Sequence, residues 1–206
     1  PRTHDMSADW PEGFAYYPDA LTEVEESDLL AFIETLNLGP FVFQGNPSLR
    51  HVRNFGVDFD YERKIAVEAP PIPAAFNTVL DRVAALTGTP RPDLAELLVT
   101  RYPPGASITW HRDSRPFEAI FGVSLESDAP LKLRPANPKN AKPILTVPVA
   151  RRSIYALPGL ARSKWLHHVP PVRETRVSLT IRTLRPGLEI HPAADLAQYQ
   201  VPGQDG

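Results

Sequence analysis

Cysteine is absent from the 206 residues of this chain. Disulfide bonds, cysteine nucleophiles and thiolate zinc sites are therefore excluded, and any metal must bind through nitrogen and oxygen ligands. Imidazole and carboxylate ligands favour iron, manganese, zinc or nickel. The absence of cysteine is also consistent with a protein of a reducing compartment.

Long hydrophobic runs are lacking as well. No apolar run in the sequence approaches the ~20 residues that span a bilayer, and the N-terminus has no secretory-signal pattern. We therefore expect a soluble, cytoplasmic protein with no membrane association. A chain of this length can bury a sufficient core as one domain, so we expect residues 1–206 to form a single domain, and the protein to be a monomer.

The formal net charge of −2 conceals an uneven distribution. Residues 1–40 contain nine acidic residues and one arginine, whereas residues 101–185 contain fifteen basic and five acidic residues. Seventeen of the 22 basic residues are arginine, the side chain suited to planar recognition of carboxylate and phosphate. The second half of the chain therefore has either a solvated basic face or a site for an anionic ligand.

Two segments in the first half have helical patterns. Thr22 and Glu25 form a predicted capping box, after which apolar residues repeat at helical spacing until Gly39–Pro40. A second helix is predicted from about Pro73 to a glycine stop at Gly88.

From residue 96 onward the pattern changes to short apolar or alternating runs separated by turn residues. The predicted strands are 96–102, 107–111, 119–125, 130–134, 144–149, 153–157, 164–168 and 176–184. Strands at this spacing are typical of a sandwich or barrel, and 24 prolines argue against long parallel strands. We predict a mainly β fold with flanking helices and loosely packed ends at residues 1–10 and 186–206.

The last predicted strand has two different faces. Val177, Leu179 and Ile181 share one face of an extended segment, and the opposite face carries polar side chains: Arg176, Ser178, Thr180 and Arg182. The polar face belongs either to a solvent-exposed edge or to a cavity. In a cavity, two guanidinium groups with two hydroxyls between them would suit a small dicarboxylate.

His111 and Asp113 are two residues apart, so in an extended segment their side chains point the same way. An imidazole beside a carboxylate supplies two members of the 2-His-1-carboxylate triad that holds non-haem iron. The pair alone is weak because this spacing is common by chance. A third ligand is available downstream at His167 or His168, just before the arginine-bearing strand.

Together these segments resemble the AlkB family of iron(II)- and 2-oxoglutarate-dependent dioxygenases. The resemblance covers residues 96–185 well and residues 10–95 only in general layout. The segments that match in order are Thr100–Gly105, His111–Asp113, Arg151–Arg162, Trp165–His167 and Arg176–Arg182.

The resemblance implies a double-stranded β-helix, the jelly-roll relative of cupins. By position in the Trp-x-His pattern it places the distal iron ligand on His167 rather than His168. It implies a single oxygenase domain with helices and a substrate lid in residues 10–95, a catalytic core in 96–185 and a tail in 186–206.

The cofactors that the resemblance implies are Fe(II), 2-oxoglutarate and O2. The far carboxylate of 2-oxoglutarate would bind Arg176, assisted by Tyr102. Arg182 would lie by the keto-acid end, and Thr100 stands where the family often has Asn.

The activity that the resemblance implies is oxidative demethylation of N-alkylated nucleobases in DNA or RNA, with release of succinate, CO2 and formaldehyde. Methylated single-stranded DNA or RNA would be the partner. Repair members of the family usually have an acidic residue here that contacts the damaged base, whereas this chain has Arg115. An arginine at this position could contact a phosphate or a carbonyl oxygen instead.

Substrate contacts are predicted from a mixed basic and aromatic segment at residues 50–61. The resemblance makes this segment a lid that stacks the flipped base, with Arg53, Phe55 and Tyr61 as contacts alongside Arg115 and Trp110. A strand with a half-buried aromatic face would have the same pattern.

Two other functions remain open at this stage. The first keeps iron and 2-oxoglutarate but hydroxylates a protein or a small molecule, which the slightly acidic charge balance and Arg115 allow. The second is a non-catalytic nucleic-acid-binding module, which the basic segment supports but which leaves the order of His111, Asp113 and His167 unexplained.

Overall fold

The computed structural model describes residues 10–192, apart from residues 44, 138 and 140–142. Within these residues the chain is mostly β-strand with three α-helices, α1 (Glu23–Glu34), α2 (Asn77–Thr87) and α3 (Gly159–Lys164). The strands are β1 (Ala15–Tyr17), β2 (Gly39–Phe43), β3 (Asn46–Phe55), β4 (Val57–Asp60), β5 (Ile65–Glu68), β6 (Leu94–Tyr102), β7 (Ile108–His111), β8 (Phe117–Leu125), β9 (Ala129–Pro135), β10 (Leu145–Val149), β11 (Ile154–Leu157), β12 (Trp165–Val169), β13 (Arg176–Leu184) and β14 (Ile190–His191).

Two antiparallel sheets form the body of the protein. The major sheet has the strand order β1-β11-β8-β13-β6-β3-β2, and the minor sheet has the order β10-β9-β12-β7. The chain passes repeatedly from one sheet to the other between β6 and β13. This is the double-stranded β-helix, and the predicted fold class is confirmed.

All eight strands predicted after residue 95 are present, as β6 to β13. The prediction for residues 10–95 was less complete. That region contains the two predicted helices, but it also contains strands β1 to β5. Of these, β1, β2 and β3 lengthen the major sheet, and β4 and β5 form a small third sheet with β14. The third sheet includes part of the predicted tail, because Ile190–His191 pairs in parallel with β5.

The core has two layers, one on each face of the major sheet. Inner-face side chains of the major sheet pack against those of the minor sheet, whereas outer-face side chains pack beneath α1 and α2. Strand β13 contributes to both layers. Val177, Leu179 and Ile181 are fully buried on the helix side, and Leu184 packs against the layer between the two sheets. The strand lies between β8 and β6, so its polar face is not a solvent-exposed edge and points between the two sheets.

Both predicted helices form. The capping box of α1 is confirmed, with the Thr22 hydroxyl accepting from the Glu25 N–H and the Glu25 carboxylate accepting from the Thr22 N–H. The helix ends at Glu34, earlier than the predicted stop, and the chain turns into β2. Helix α2 follows a short 3-10 turn and ends at Gly88 with φ of 71°, as predicted.

A buried carboxylate fixes α1 to the body of the protein. Glu26 is completely buried, and its oxygens accept hydrogen bonds from the backbone N–H of Glu126 and from Nε of Arg151, both at 2.8 Å. Arg152 adds a third contact at 3.4 Å. Paired in this way the buried charge is tolerated, and it joins α1 to the turns that follow β8 and β10.

The predicted loose start at residues 1–10 and most of the tail, residues 193–206, lie outside the described residues. Within the described part of the chain no helix is long and apolar enough to cross a membrane.

The close approach of Tyr155 to Gly122 provides a test of this packing. The two residues are register partners on β11 and β8, and a Cβ on Gly122 would lie 2.1 Å from Cζ of Tyr155. We expect Gly122→Ala to destabilise the fold by about 1–3 kcal/mol, because the buried ring would have to move.

Urea denaturation measures this effect. Gly39→Ala is the matched control, because a Cβ at Gly39 meets no atom within 4 Å, and its effect should stay within about 0.5 kcal/mol. Equal stability of the two variants would contradict the packing of Tyr155 over Gly122.

Candidate metal centre and adjoining pockets

Two histidines lie side by side on neighbouring strands of the minor sheet. His111 ends β7 and His167 lies in β12, and the two are direct register partners with ring centroids 4.1 Å apart. Asp113 follows His111 by two residues and brings Oδ2 to 3.4 Å from Nε2 of His167. One ligand atom from each of the three side chains lies within 4.8 Å of the others, which is close enough for all three to bind one ion.

Hydrogen bonds leave the correct atoms of this triad available to a metal. Nδ1 of His111 donates to the carbonyl oxygen of Thr109 at 2.8 Å, which leaves Nε2 as the ligand atom. Oδ1 of Asp113 accepts from Arg182, whereas Oδ2 is buried and has no hydrogen-bond partner among the described residues. A buried carboxylate oxygen without a donor is costly unless a cation binds it. The triad therefore fits a divalent metal.

Burial and charge also favour the metal-binding protonation states. Burial lowers the pKa of His167 to about 3, and the neighbouring His111 contributes to the shift. Burial also lowers the pKa of His111, although Asp113 opposes the change. For Asp113, burial would raise the pKa, but Arg182 and the two histidines outweigh it and hold the pKa well below its usual range. Neutral imidazoles and an ionised carboxylate are the forms that bind metal.

His168 lies on the other side of the minor sheet. Its Nδ1 donates to the carbonyl oxygen of Ile108 at 2.7 Å, and its ring lies 5.0 Å from that of Trp110. Adjacent residues of a strand point to opposite faces, so only one of the two histidines can join His111 and Asp113. The structure brings His167 there.

A second cationic site lies on the inner face of the major sheet. Arg176 is 2% exposed, its Nε donates to Oγ of Ser124 at 3.0 Å, and its guanidinium lies 5.3 Å from the ring centre of Tyr102. Among the described residues, no carboxylate pairs with Arg176. A buried guanidinium without a counter-ion favours binding of an anionic ligand.

Two of the predicted 2-oxoglutarate contacts lie beside Arg176, together with two residues that the sequence did not indicate. Tyr102 is the register partner of Arg176, and Thr100 is buried on the same strand face, opposite Ser178. The additional residues are Ser124 and Tyr155. Burial raises the pKa of Tyr155 to about 12, which keeps its hydroxyl protonated as a donor. Nothing in the almost wholly apolar runs of β8 and β11 indicated either residue.

Arg182 links the metal ligands to a buried acid. Its Nε and Nη2 donate to Oδ1 of Asp113 at 2.9 and 2.6 Å, and its Nη1 donates to both carboxylate oxygens of Glu96 at 2.6 and 2.7 Å. Burial raises the pKa of Glu96, and Arg182 opposes the rise. Glu96 was not among the predicted site residues, although an acid inside the apolar run of β6 was a signal.

A cavity of about 300 Å³ opens beside this network. It shares Glu96 and Arg182 with the site, and three aromatic side chains from β2 and the β4–β5 hairpin enclose it: Phe41, Phe59 and Tyr61. The Tyr61 hydroxyl also forms a hydrogen bond with Ser114, the residue after Asp113. The predicted lid therefore contacts the loop that carries a metal ligand.

The structure does not bring Arg53 and Phe55 to this cavity. Their strand neighbours Val52 and Asn54 line it instead, so the predicted pair lies on the opposite face of β3. Phe55 is buried against Phe76 beneath the helices, with ring centroids 6.0 Å apart, and Arg53 donates to the carbonyl oxygen of Asn37. The two predicted residues thus lie on the same strand as two cavity-lining residues, but on its opposite face.

The remaining predicted substrate residues, Arg115 and Trp110, lie outside the cavity lining. Arg115 is exposed in the loop after β7, whose backbone is held by Arg162 through the carbonyl oxygens of Asp113 and Ser114 at 2.7 and 2.9 Å. Trp110 lies with His168 on the outer face of the minor sheet.

A sequence profile described as the 2OG-Fe(II) oxygenase superfamily matches residues 43–185. The chain belongs to this superfamily. The match contains the whole triad and both predicted arginines. The protein is thus an iron(II)- and 2-oxoglutarate-dependent oxygenase that uses dioxygen, and the hypothesis of a non-catalytic nucleic-acid-binding module is wrong.

Sequence relatives of the oxygenase support an AlkB-like assignment within the superfamily. It is 26% identical over 168 residues to the mouse tRNA (carboxymethyluridine(34)-5-O)-methyltransferase ALKBH8, a match covering 78% of this chain and 24% of the relative. It is 30% identical over 107 residues to uncharacterized protein L905 of Acanthamoeba polyphaga mimivirus, covering 46% and 49%. The chain thus matches about a quarter and a half of the lengths of these relatives.

Solved structures share the fold of the oxygenase at low identity. OsALKBH1 superposes with a TM-score of 0.66 and 15% identity, covering 84% of this chain and 97% of that protein. A 2OG-Fe(II) oxygenase from Burkholderia pseudomallei has a TM-score of 0.61 at 18% identity, covering 86% and 88%. A Pseudomonas putida prolyl-4-hydroxylase has a TM-score of 0.56 at 16% identity, covering 85% and 94%.

The metal centre can be tested by single substitutions in the oxygenase. Replacing His111, Asp113 or His167 by Ala should abolish iron-dependent succinate formation while leaving a folded protein, since each removes one ligand atom. His168→Ala is the matched control and should retain most of the activity, because its ring faces the other side of the sheet. An inactive His168→Ala beside an active His167→Ala would move the ligand by one residue.

The buried cation can be tested by the binding of 2-oxoglutarate. Arg176→Ala should weaken the affinity by about 2–5 kcal/mol, largely because a buried carboxylate would lose its partner. Titration calorimetry under anaerobic conditions measures the affinity without turnover. Arg173→Ala, at an exposed position three residues earlier, is the control. Unchanged binding in Arg176→Ala would move the carboxylate anchor elsewhere, with Arg182 as the next candidate.

Proposed function

We propose that the oxygenase demethylates N-alkylated nucleobases in single-stranded DNA or RNA. The observation that carries this proposal is an aromatic-lined cavity whose wall includes Arg182, the hydrogen-bond partner of Asp113. An enzyme that acts on a base must take it out of the stack and hold it in a pocket, commonly between aromatic side chains. The cavity has both the position and the lining for this task.

In this proposal His111, Asp113 and His167 hold the iron, and Arg176 holds the far carboxylate of 2-oxoglutarate with help from Tyr102 and Thr100. Bound iron and 2-oxoglutarate supply the oxidation of an N-methyl group, with succinate, CO2 and formaldehyde as products. The chain positions the reactants, supplies fixed charges and excludes bulk water from the buried centre.

The lid supports the proposal through its contacts. Phe59 and Tyr61 pack edge to face with ring centroids 5.0 Å apart, and Phe41 approaches Tyr61 in the same way at 6.0 Å. Together they offer apolar faces on which a planar base could stack. The contact between Tyr61 and Ser114 places that stack beside the loop carrying Asp113.

A basic surface on the outer face of the minor sheet supports an anionic polymer as substrate. Lys132 and His168 are register partners, Arg134 follows on the same strand face, and the Arg134 guanidinium lies 4.5 Å from the ring centre of Trp110. The sequence has no acidic residue from Ala129 to Arg173. Basic side chains on such a face suit a phosphate backbone.

The name of the mouse relative supports the same substrate class, because it places that protein's activity on tRNA. The methyltransferase activity in that name belongs to a protein of which this chain matches about a quarter. The cytoplasmic location and the monomeric state of this oxygenase remain predictions from its sequence.

A panel of methylated oligonucleotides tests the proposal. We expect formaldehyde and succinate from single-stranded DNA or RNA, and less from duplex, because extruding a paired base costs a few kcal/mol. Binding should weaken as salt rises, since phosphate contacts release counterions. If succinate forms without formaldehyde above the uncoupled background, and no oligonucleotide binds, the substrate is a protein or small molecule that the enzyme hydroxylates.

The same panel assigns the surface residues. Arg115→Ala should reduce affinity across all sequences if Arg115 contacts phosphate, and should change the accepted base if it contacts the base. The double variant Lys132→Glu, Arg134→Glu should lower affinity and flatten the salt dependence. Arg91 follows helix α2 and pairs with Asp81. Arg91→Glu is a charge-reversal control away from the basic surface and should bind normally.

A further inference from the structure

We propose that Glu96 is a positioning residue of the metal centre. It holds Arg182 so that the guanidinium occupies Oδ1 of Asp113 and leaves Oδ2 for the metal. The proposal concerns the iron centre of the superfamily and does not depend on the identity of the oxidised substrate.

The geometry of the two strands prepares this contact. Glu96 on β6 and Arg182 on β13 are direct register partners on the inner face of the major sheet, where opposite charges stabilise a cross-strand pair. The pairing of both neighbours of β13 shifts immediately after Arg182. A register shift of this kind bends the strand locally and redirects side chains, and such shifts are common next to active sites.

The donors of Arg182 are divided between two carboxylates. Within the described part of the chain, Nη1 donates hydrogen bonds to Glu96, while Nε and Nη2 donate to Oδ1 of Asp113. A planar guanidinium held at Nη1 by one carboxylate, and at Nε and Nη2 by another, has a fixed orientation. Asp113 therefore presents a single free oxygen, Oδ2, and the structure favours a monodentate carboxylate ligand.

Charge gives Glu96 a second effect on the metal. Arg182 alone would place a full positive charge next to a dication, whereas the Glu96–Arg182 pair is neutral and leaves the charge of Asp113 available. Glu96 is 1% exposed, so solvent would screen the uncompensated arginine only weakly. Removing Glu96 should thus both loosen Asp113 and oppose binding of the cation.

Two simpler roles for Glu96 make different predictions. As a structural ion pair only, it would affect stability and nothing at the metal. As a substrate contact in the adjoining cavity, it would affect the KM for the substrate and again nothing at the metal. Metal binding by the protein without any substrate separates these roles from positioning.

The experiment compares Co(II) binding to metal-free wild type, Glu96→Gln and Glu96→Leu. Titration calorimetry gives the affinity, and the visible absorption of bound Co(II) reports its coordination. Loss of a partner that orients a metal ligand typically costs 10–100-fold in metal affinity, and we expect a loss in that range for Glu96→Leu. Glu96→Gln keeps the shape and one acceptor, so its loss should be smaller. Both spectra should change as Asp113 gains freedom to bind through two oxygens.

Glu26→Gln is the matched control. Glu26 is also fully buried and paired with arginine. Its partners, however, lie in the turns that follow β8 and β10 and not at the metal. We expect this variant to lose stability while keeping wild-type Co(II) affinity and spectrum.

The Co(II) affinity and spectrum of the variants decide whether Glu96 positions the metal ligand. Folded Glu96 variants with wild-type Co(II) affinity and spectrum would overturn the proposal, whether or not their stability or KM changes. If Glu96→Leu does not fold, the spectrum and affinity of Glu96→Gln decide. If Glu26→Gln weakens Co(II) binding as much as Glu96→Gln, the effect is general destabilisation and the proposal is wrong.

Discussion

The two faces of β13 are the constraint on which the rest of the structure depends. A strand in the middle of a sheet must satisfy one environment on each face, because successive side chains alternate. One face of β13 has only apolar side chains and packs beneath α1 and α2. The other carries Arg176 and Arg182 into the space between the sheets, where each must find an anionic partner. Strand β13 thus supplies both part of the hydrophobic core and the two arginines of the site.

The two arginines meet this requirement differently. Arg182 is paired within the protein with Glu96 and also contacts Asp113, so it contributes to the order of the metal centre. Among the residues that the structure describes, hydroxyl and aromatic side chains surround Arg176 and no carboxylate pairs with it, so its charge remains available to a ligand. Buried charges are costly unless paired, which explains why one arginine is tied to the metal ligands while the other suits a diacid co-substrate.

The catalytic half of the fold was predictable because local pattern and tertiary environment agree there. Each of the strands β6 to β13 is a short apolar or alternating run ended by turn residues, and each was identified. Strands β1 to β5 were not predicted as strands, apart from the alternative kept open for residues 50–61. Strands β3 and β4 mix charged and aromatic residues and have half-exposed faces, so their pattern does not separate a strand from a substrate lid. Helix α1 ends five residues early for a related reason, since Gly39–Pro40 opens a strand whose pairing with β3 appears only in the folded chain.

Sequence by itself determined the order of chemical groups: His111 and Asp113 two residues apart, a histidine pair downstream, and two arginines separated by five residues. The alternation of a strand and the chemistry of iron ligands require nothing more. Only the tertiary structure decided which face of each strand meets which neighbour. It placed His167 opposite His111, turned Arg53 and Phe55 away from the cavity, and set Glu96 across from Arg182. These outcomes depend on register between strands far apart in sequence, and register is fixed by packing of the whole sheet.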